Sequence, residues 1–151
     1  MSAFLVDSNV LVYAHDPRDR AKQLRALEVL DHLISRDMAV LSVQCLTEFF
    51  RAARWKLPEP LAPEEALAQV ERFTQACRIL DLTPLVVIEG CRGTHAHSLA
   101  LWDSLIWSVA KLNQVPYILS EDFPGRSFIE GVRFLNPFAP DFDLAVLETQ
   151  P

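Results

Sequence analysis

Short aliphatic or β-branched runs alternate along this chain with longer stretches of helical period, and that alternation predicts parallel strands joined by helical crossovers. The strand candidates are Ala3 to Val6, Met38 to Leu41, Arg78 to Leu82, Tyr117 to Leu119 and Val132 to Leu135. Lys22 to Ser35 carries Leu24, Leu27, Leu30 and Ile34 at the spacing of one helix face. Pro63-Glu64-Glu65 opens another helix, with proline in the first turn and carboxylates at the positive end of the dipole. Two more helices are predicted from about Val43 to Lys56, stopped by Pro58 and Pro60, and from about Asp103 to Asn113, stopped before Pro116. No repeat, low-complexity tract or linker divides the chain. After Asn136-Pro137-Phe138-Ala139-Pro140 the pattern closes, so that one domain spans 1–140 and residues 141–151 form a peripheral tail.

Composition narrows the class. With 151 residues, 50% hydrophobic and 23% charged, the chain has enough apolar surface for one core and is neither disordered, collagenous nor coiled-coil. Fourteen Lys and Arg against twenty Asp and Glu leave a net charge of −6, which excludes a general basic coat for nucleic acid or an anionic membrane; any nucleic-acid contact must be local. Cys45, Cys77 and Cys91 are an odd number at wide spacings, the usage of a reduced compartment. The apolar opening Ala3-Phe4-Leu5-Val6 is broken by Asp7-Ser8-Asn9 and lacks a basic start, so no signal peptide is expected. No uncharged run approaches the ~18 residues of a membrane helix. A soluble, cytoplasmic protein without membrane contact is the expectation.

In an open parallel sheet, ligands bind beyond the carboxyl ends of the strands. Asp7 directly follows Phe4-Leu5-Val6, and Asp122 follows Tyr117-Ile118-Leu119-Ser120, so two acids stand at strand ends and could share one edge. The two-residue period of an extended chain puts Ser120 and Asp122 on one side and Glu121 on the other. Asp7 is either a site residue or the cap of a helix beginning near Ser8-Asn9. Asp103, at the start of its helix, is either an N-cap or an acid aimed at whatever that terminus faces. Glu48 falls nearly opposite the stripe of Leu46, Phe49, Phe50, Ala53 and Leu57, where it lines a cleft or meets water. If all four acids converged, each pair at ~5 Å would repel by about 3 kcal/mol at an effective dielectric near 20, and the site would have to protonate or hold cations. Oxygen-only ligands favour Mg²⁺ or Mn²⁺ over zinc.

At these residues the chain resembles the PIN-domain ribonucleases, and among them the VapC-type toxins of prokaryotic toxin–antitoxin pairs. The matching segments are Phe4-Leu5-Val6-Asp7-Ser8-Asn9-Val10-Leu11-Val12-Tyr13-Ala14, Leu41-Ser42-Val43-Gln44-Cys45-Leu46-Thr47-Glu48-Phe49, Leu101-Trp102-Asp103-Ser104-Leu105-Ile106, Ile118-Leu119-Ser120-Glu121-Asp122-Phe123, and Gly131-Val132-Arg133-Phe134-Leu135-Asn136-Pro137-Phe138. They cover residues 3 to 138 in order. The resemblance implies an α/β fold, a three-layer α/β/α arrangement on a central parallel sheet of about five strands. It implies that Asp7, Glu48, Asp103 and Asp122 are the catalytic and metal-binding quartet, with Asn9 and Ser120 as supporting polar residues. It further implies endonucleolytic hydrolysis of single-stranded or looped RNA with Mg²⁺ or Mn²⁺, leaving a 5′-phosphate and a 3′-hydroxyl, a cognate antitoxin partner, and a homodimer. Two departures stand out: Ser104 replaces the small Ala usual there, and Phe123-Pro124-Gly125 replaces more polar residues.

A chain of charge −6 must still hold a polyanion. Arg51, Arg54 and Lys56 on the helix of Glu48 are the first candidates, and Arg18, Arg20, Lys22 and Arg25 the second, each otherwise a solvated cation. The aromatics Trp55, Trp102, Trp107, Phe49 and Phe50 either fill the core, seat a partner helix or stack bases. Cys91, His95 and His97 lack the further ligand a zinc site needs. Asp7-Ser8-Asn9 is also similar to the opening of haloacid-dehalogenase-type phosphatases, but Asn9 holds the place of their second acid. The rival to a nuclease is a catalytically silent binding module of the same fold.

Overall fold

A computed structural model describes residues 2–123 and 127–148. Pro124 and Gly125, part of the second departure noted above, and 149–151 of the expected tail lie outside the described residues. The order of elements is β1 (Phe4–Val6), α1 (Ser8–Tyr13), α2 (Arg20–Ser35), β2 (Ala39–Ser42), α3 (Val43–Trp55), α4 (Pro63–Ala76), β3 (Arg78–Leu80), α5 (Pro84–His97), α6 (Leu101–Leu112), β4 (Tyr117–Leu119), β5 (Phe128–Ile129), β6 (Val132–Leu135) and α7 (Ala145–Glu148). The strands form one sheet in the order β3-β2-β1-β4-β6-β5, parallel throughout except for the antiparallel pair β5–β6. All five expected strands are present. The sixth, β5, is two residues long, too short to carry a period of its own, and is formed by the turn at Glu130 and Gly131, both with positive φ (45° and 88°).

Side chains alternate across the central strands and fill two cores. Phe4, Val6, Leu41 and Leu119 meet Val10, Leu11, Val29, Leu33, Phe49 and Phe73 from α1 to α4 on one face. Leu5, Val40 and Ile118 meet Val86, Ile106, Trp107 and Ala110 from α5 and α6 on the other. The result is the expected helix–sheet–helix sandwich. Such strands, buried on both faces, are short continuous apolar runs, which is why they are readable in the sequence.

The helix α5 has no counterpart among the predicted elements. Thr83 caps it, its hydroxyl accepting from Val86 N (3.2 Å), and Pro84 starts it. Its inner face carries Gly90 and Gly93 and its outer face Leu85 and Ile88, so no single apolar stripe marks it. The glycines bring α6 close. A Cβ at Gly93 would collide with Ser104 Oγ and lie 2.6 Å from Trp107 Cζ3. Ser104, the unusual residue of its motif, is buried and donates its hydroxyl to Gly90 O (2.6 Å), tying the two helices together.

The segment expected as a peripheral tail is, over its described part, stitched into the first core. Leu147 is buried, Phe142 and Leu144 pack beside it, Arg25 Nη1 donates to Phe142 O (3.0 Å), and Arg36 pairs with Glu148 (3.5 Å). Among the described residues no helix is long and apolar enough to cross a membrane.

Candidate active site

The sheet order puts β1 beside β4 in register, Val6 against Leu119, so the residues that follow both strands emerge together at the carboxyl edge. Asp7 N donates to Leu119 O (3.0 Å), and the Asp7 side chain then does two things at once. Its Oδ1 accepts from Ser8 N (2.7 Å), capping α1, while its Oδ2 accepts from Ser120 Oγ (2.7 Å) and more weakly from Asn9 Nδ2 (3.4 Å). The carboxylate thus caps the helix with one oxygen and leaves the other to the polar network of Ser120 and Asn9. Asn9 Nδ2 also donates to Ser120 Oγ (3.0 Å) and Asp122 Oδ2 (3.1 Å), and Asp122 N donates to Ser120 Oγ (3.0 Å). Both supporting residues thus bridge the acids of β1 and β4. Glu121 points the other way, to Tyr13 and Lys22 (2.9 Å), as the period of two requires.

Ser42 at the end of β2 caps α3, its Oγ accepting from Cys45 N (3.1 Å), and this aims the helix across the same edge. Glu48, half-buried, accepts from Ser8 Oγ at Oε2 (2.6 Å) and from Gln44 Nε2 at Oε1 (2.6 Å). Gln44 Nε2 also donates to Trp102 O (3.1 Å), which ties α3 to the start of α6. Asp103 lies in the first turn of α6, not at its cap, because the helix starts at Leu101 with Ala100 as N-cap.

The charges of Asp122 and Glu48 reach both Asp7 and Asp103. Burial above all, then the charges of Asp122 and Glu48, pushes Asp7 up to about 7, although bonds from Ser120 and Ser8 oppose the shift. Asp103 is also raised, first by burial and then by Asp122 and Glu48. Among the described residues no three His, Cys, Asp or Glu side chains close around one point tightly enough to hold an ion, so the acids share a field without a finished coordination shell. Two amide oxygens in the same network, Asn9 Oδ1 and Gln44 Oε1, are buried without a hydrogen-bond partner. An all-oxygen set with repelling carboxylates and spare acceptors fits a hard divalent cation.

A cleft of about 770 Å³ runs from Ser8, Asn9 and Glu48 between α1 and α3, with Trp102 and Leu82 in its wall. Arg51 and Lys56 line it. Arg54 does not: it shares the helix face of Arg51, but its Nη1 donates to Leu61 O of the α3–α4 connection (2.9 Å) and its guanidinium lies over the Trp55 ring (5.4 Å). Arg18, from the second group of candidates, also lines the cleft. Asp16 accepts from its Nε (3.0 Å) and Nη2 (2.7 Å), fixing the guanidinium. Lys22 is committed to Glu121 and Arg25 to backbone carbonyls, while Arg20 bonds Gln23. Gln44 escaped sequence reasoning altogether, since a lone amide on a helix carries no signal beyond its place four residues before Glu48. Of the three residues weighed as a zinc set, Cys91 and His95 are exposed on α5 and His97 pairs with Glu130.

The PIN domain family model matches residues 4–123. No curated protein sequence matches the chain. Among solved structures, a chain of DNA-bound VapBC from Salmonella typhimurium is 20% identical with a TM-score of 0.65, over 91% of this chain and 99% of that one. A chain of FitAB bound to a DNA fragment is 23% identical with the same TM-score of 0.65, over 92% and 98%. Mycobacterium tuberculosis VapC20, described as a sarcin-ricin loop cleaving toxin, is 12% identical with a TM-score of 0.59, over 77% and 87%. Likeness at these identities speaks to the fold; the family model, which spans both strand-end acids together with Glu48 and Asp103, places this chain in the PIN domain family.

Proposed function

We propose that this chain is a Mg²⁺- or Mn²⁺-dependent endoribonuclease and the toxin of a type II toxin–antitoxin pair, working in the cytoplasm as a homodimer with a cognate antitoxin. One observation carries the reading: acids from four distant segments meet in one field at the carboxyl edge of the sheet, where Asp7 and Asp103 are held above their ordinary range. Burying repelling carboxylates costs stability, so such a cluster is retained for what it binds. Structures of the same fold include a toxin-antitoxin complex from Klebsiella pneumoniae, DNA-bound VapBC and FitAB, and the VapC20 toxin, described as cleaving the sarcin-ricin loop.

Asp7, Glu48, Asp103 and Asp122 would hold the cation. When bound, a divalent ion acidifies water and neutralises charge on phosphoryl oxygens. The chain's own residues do the rest. Asn9 and Ser120 set the separation of Asp7 and Asp122 through shared hydrogen bonds. Ser8 and Gln44 fix both oxygens of Glu48. Arg51 and Lys56, with Arg18, take the flanking phosphates in the cleft.

The test is cleavage of single-stranded RNA by the purified protein, with product ends analysed. Products with a 5′-phosphate and a 3′-hydroxyl are expected in Mn²⁺, none after chelation, and a loss of at least 100-fold in rate for Asp103→Asn with an unchanged fold. Undiminished cleavage by Asp103→Asn sinks the assignment of that residue. If calorimetry finds no Mn²⁺ uptake and no RNA is cut, the chain is a silent binding module of the PIN fold.

A further inference from the structure

Trp102 stands immediately before Asp103, yet 63% of it is exposed. Its indole makes no aromatic-ring contact and no hydrogen bond among the described residues, while its backbone is held by the first turn of α6 and by Gln44 Nε2, which donates to its carbonyl at 3.1 Å. The same amide nitrogen holds Glu48 Oε1 at 2.6 Å. Both partners of that nitrogen are acceptors, so the amide has one orientation, and the backbone of Trp102 is fixed relative to Glu48. A buried glutamine thus ties the backbone of Trp102 to Glu48 while most of the tryptophan stays open to solvent.

The surroundings identify what the ring is for. Trp102 lines the same cleft as Glu48, Arg51 and Lys56, and neither cation has a carboxylate partner among the described residues. In a chain of net charge −6, unpaired cations beside an open aromatic face make a local match for a single nucleic-acid strand, whose phosphates take the cations and whose bases take the ring. We propose that Trp102 is a stacking platform for one nucleobase next to the scissile phosphodiester, and so a specificity-determining residue that sets where along a strand the cut falls. This rests on the ribonuclease reading for the cut, but the stacking itself has a readout of its own.

That readout is tryptophan fluorescence. In Trp55→Phe protein the two remaining indoles are the buried Trp107 and the exposed Trp102. Titration with a short single-stranded oligoribonucleotide is expected to quench the emission, and Trp102→Phe in the same background is expected to abolish the quench. Binding without quenching, or no binding at all, overturns the proposal whether or not RNA is cut. Where the wild type cleaves, a cycle with an abasic nucleotide decides the matter. Trp102→Ala is expected to raise KM roughly tenfold or more with kcat little changed, and Trp102→Phe to recover most of the loss. An abasic nucleotide at one position should raise KM as much for the wild type and add nothing to Trp102→Ala. Equal abasic penalties in both proteins overturn the proposal. So does a Trp102→Ala variant that binds and cleaves normally but changes its oligomeric state or loses a protein partner, because the ring would then belong to a protein interface.

Discussion

At Asp7 one carboxylate caps a helix with one oxygen and with the other joins the Ser120 and Asn9 network that also holds Asp122. The sequence leaves these roles open because both need the same residue type at a strand end; only the pairing of β1 with β4 shows that they coexist. The charge is costly there. Asp7→Asn is expected to stabilise the metal-free protein at pH 8 by about 1–2 kcal/mol, less than the full cost of the buried charge because Ser120 and Asn9 lose an acceptor. Chemical denaturation in a chelating buffer measures it, and a less stable variant would mean the cap outweighs the repulsion. The cations separate at this scale too. Arg51→Ala should raise KM for RNA several-fold and lower the salt dependence of binding by about one counterion, whereas Arg54→Ala should leave KM unchanged and cost about 1 kcal/mol of stability through the carbonyl of Leu61. Spacing on α3 ranks these arginines alike, since helical period says which face a residue occupies and not where the next connection folds back.

The legible elements are the doubly buried strands and the proline-opened α4; α2 is legible as a helix, but Leu24 and Leu27 of its expected face are exposed, and Ala26, Val29, Leu30 and Leu33 turn inward instead. The pair α5–α6 is legible only in half. The apolar run Leu85 to Ile88 goes all round the start of α5, and two glycines that serve close packing leave its inner face without large side chains, so no stripe marks it. Gly93→Ala should therefore destabilise by about 1–3 kcal/mol, since Trp107 and Ser104 are fully buried and cannot withdraw. Gly90→Ala should cost less, because the nearest atom it meets is the end of the Leu105 side chain. Urea unfolding of the two variants checks the order, and equal losses would mean that the helices simply separate. Ser104 belongs to the same account: a departure from the motif, unexplained in the sequence, is a hydroxyl bonded across the helix pair.

Across the whole molecule, two groups of acids respond to pH with opposite sign. Asp7 holds its proton more tightly folded than unfolded, so the metal-free protein loses stability as pH rises from about 4 to 7, by about 4 kcal/mol in all. Glu89 and Glu130 are lowered by Arg92, Lys111 and His97 around the β5–β6 turn, with Glu130 at about 2; their contribution is whole above about 4.5 and fades as pH falls toward 2. Thermal unfolding in chelator should peak near pH 4–5 rather than at neutrality, and a peak at pH 7 or above would show that Asp7 carries no such penalty.

The sheet order has a further consequence, for synthesis. β4 is the fourth parallel strand to emerge but lies beside the first, and the last acid follows it at position 122. On the proposed ribonuclease reading, a growing chain on the ribosome would stay harmless to the RNA around it until β4 has paired with β1, and only then would there be anything for an antitoxin to silence.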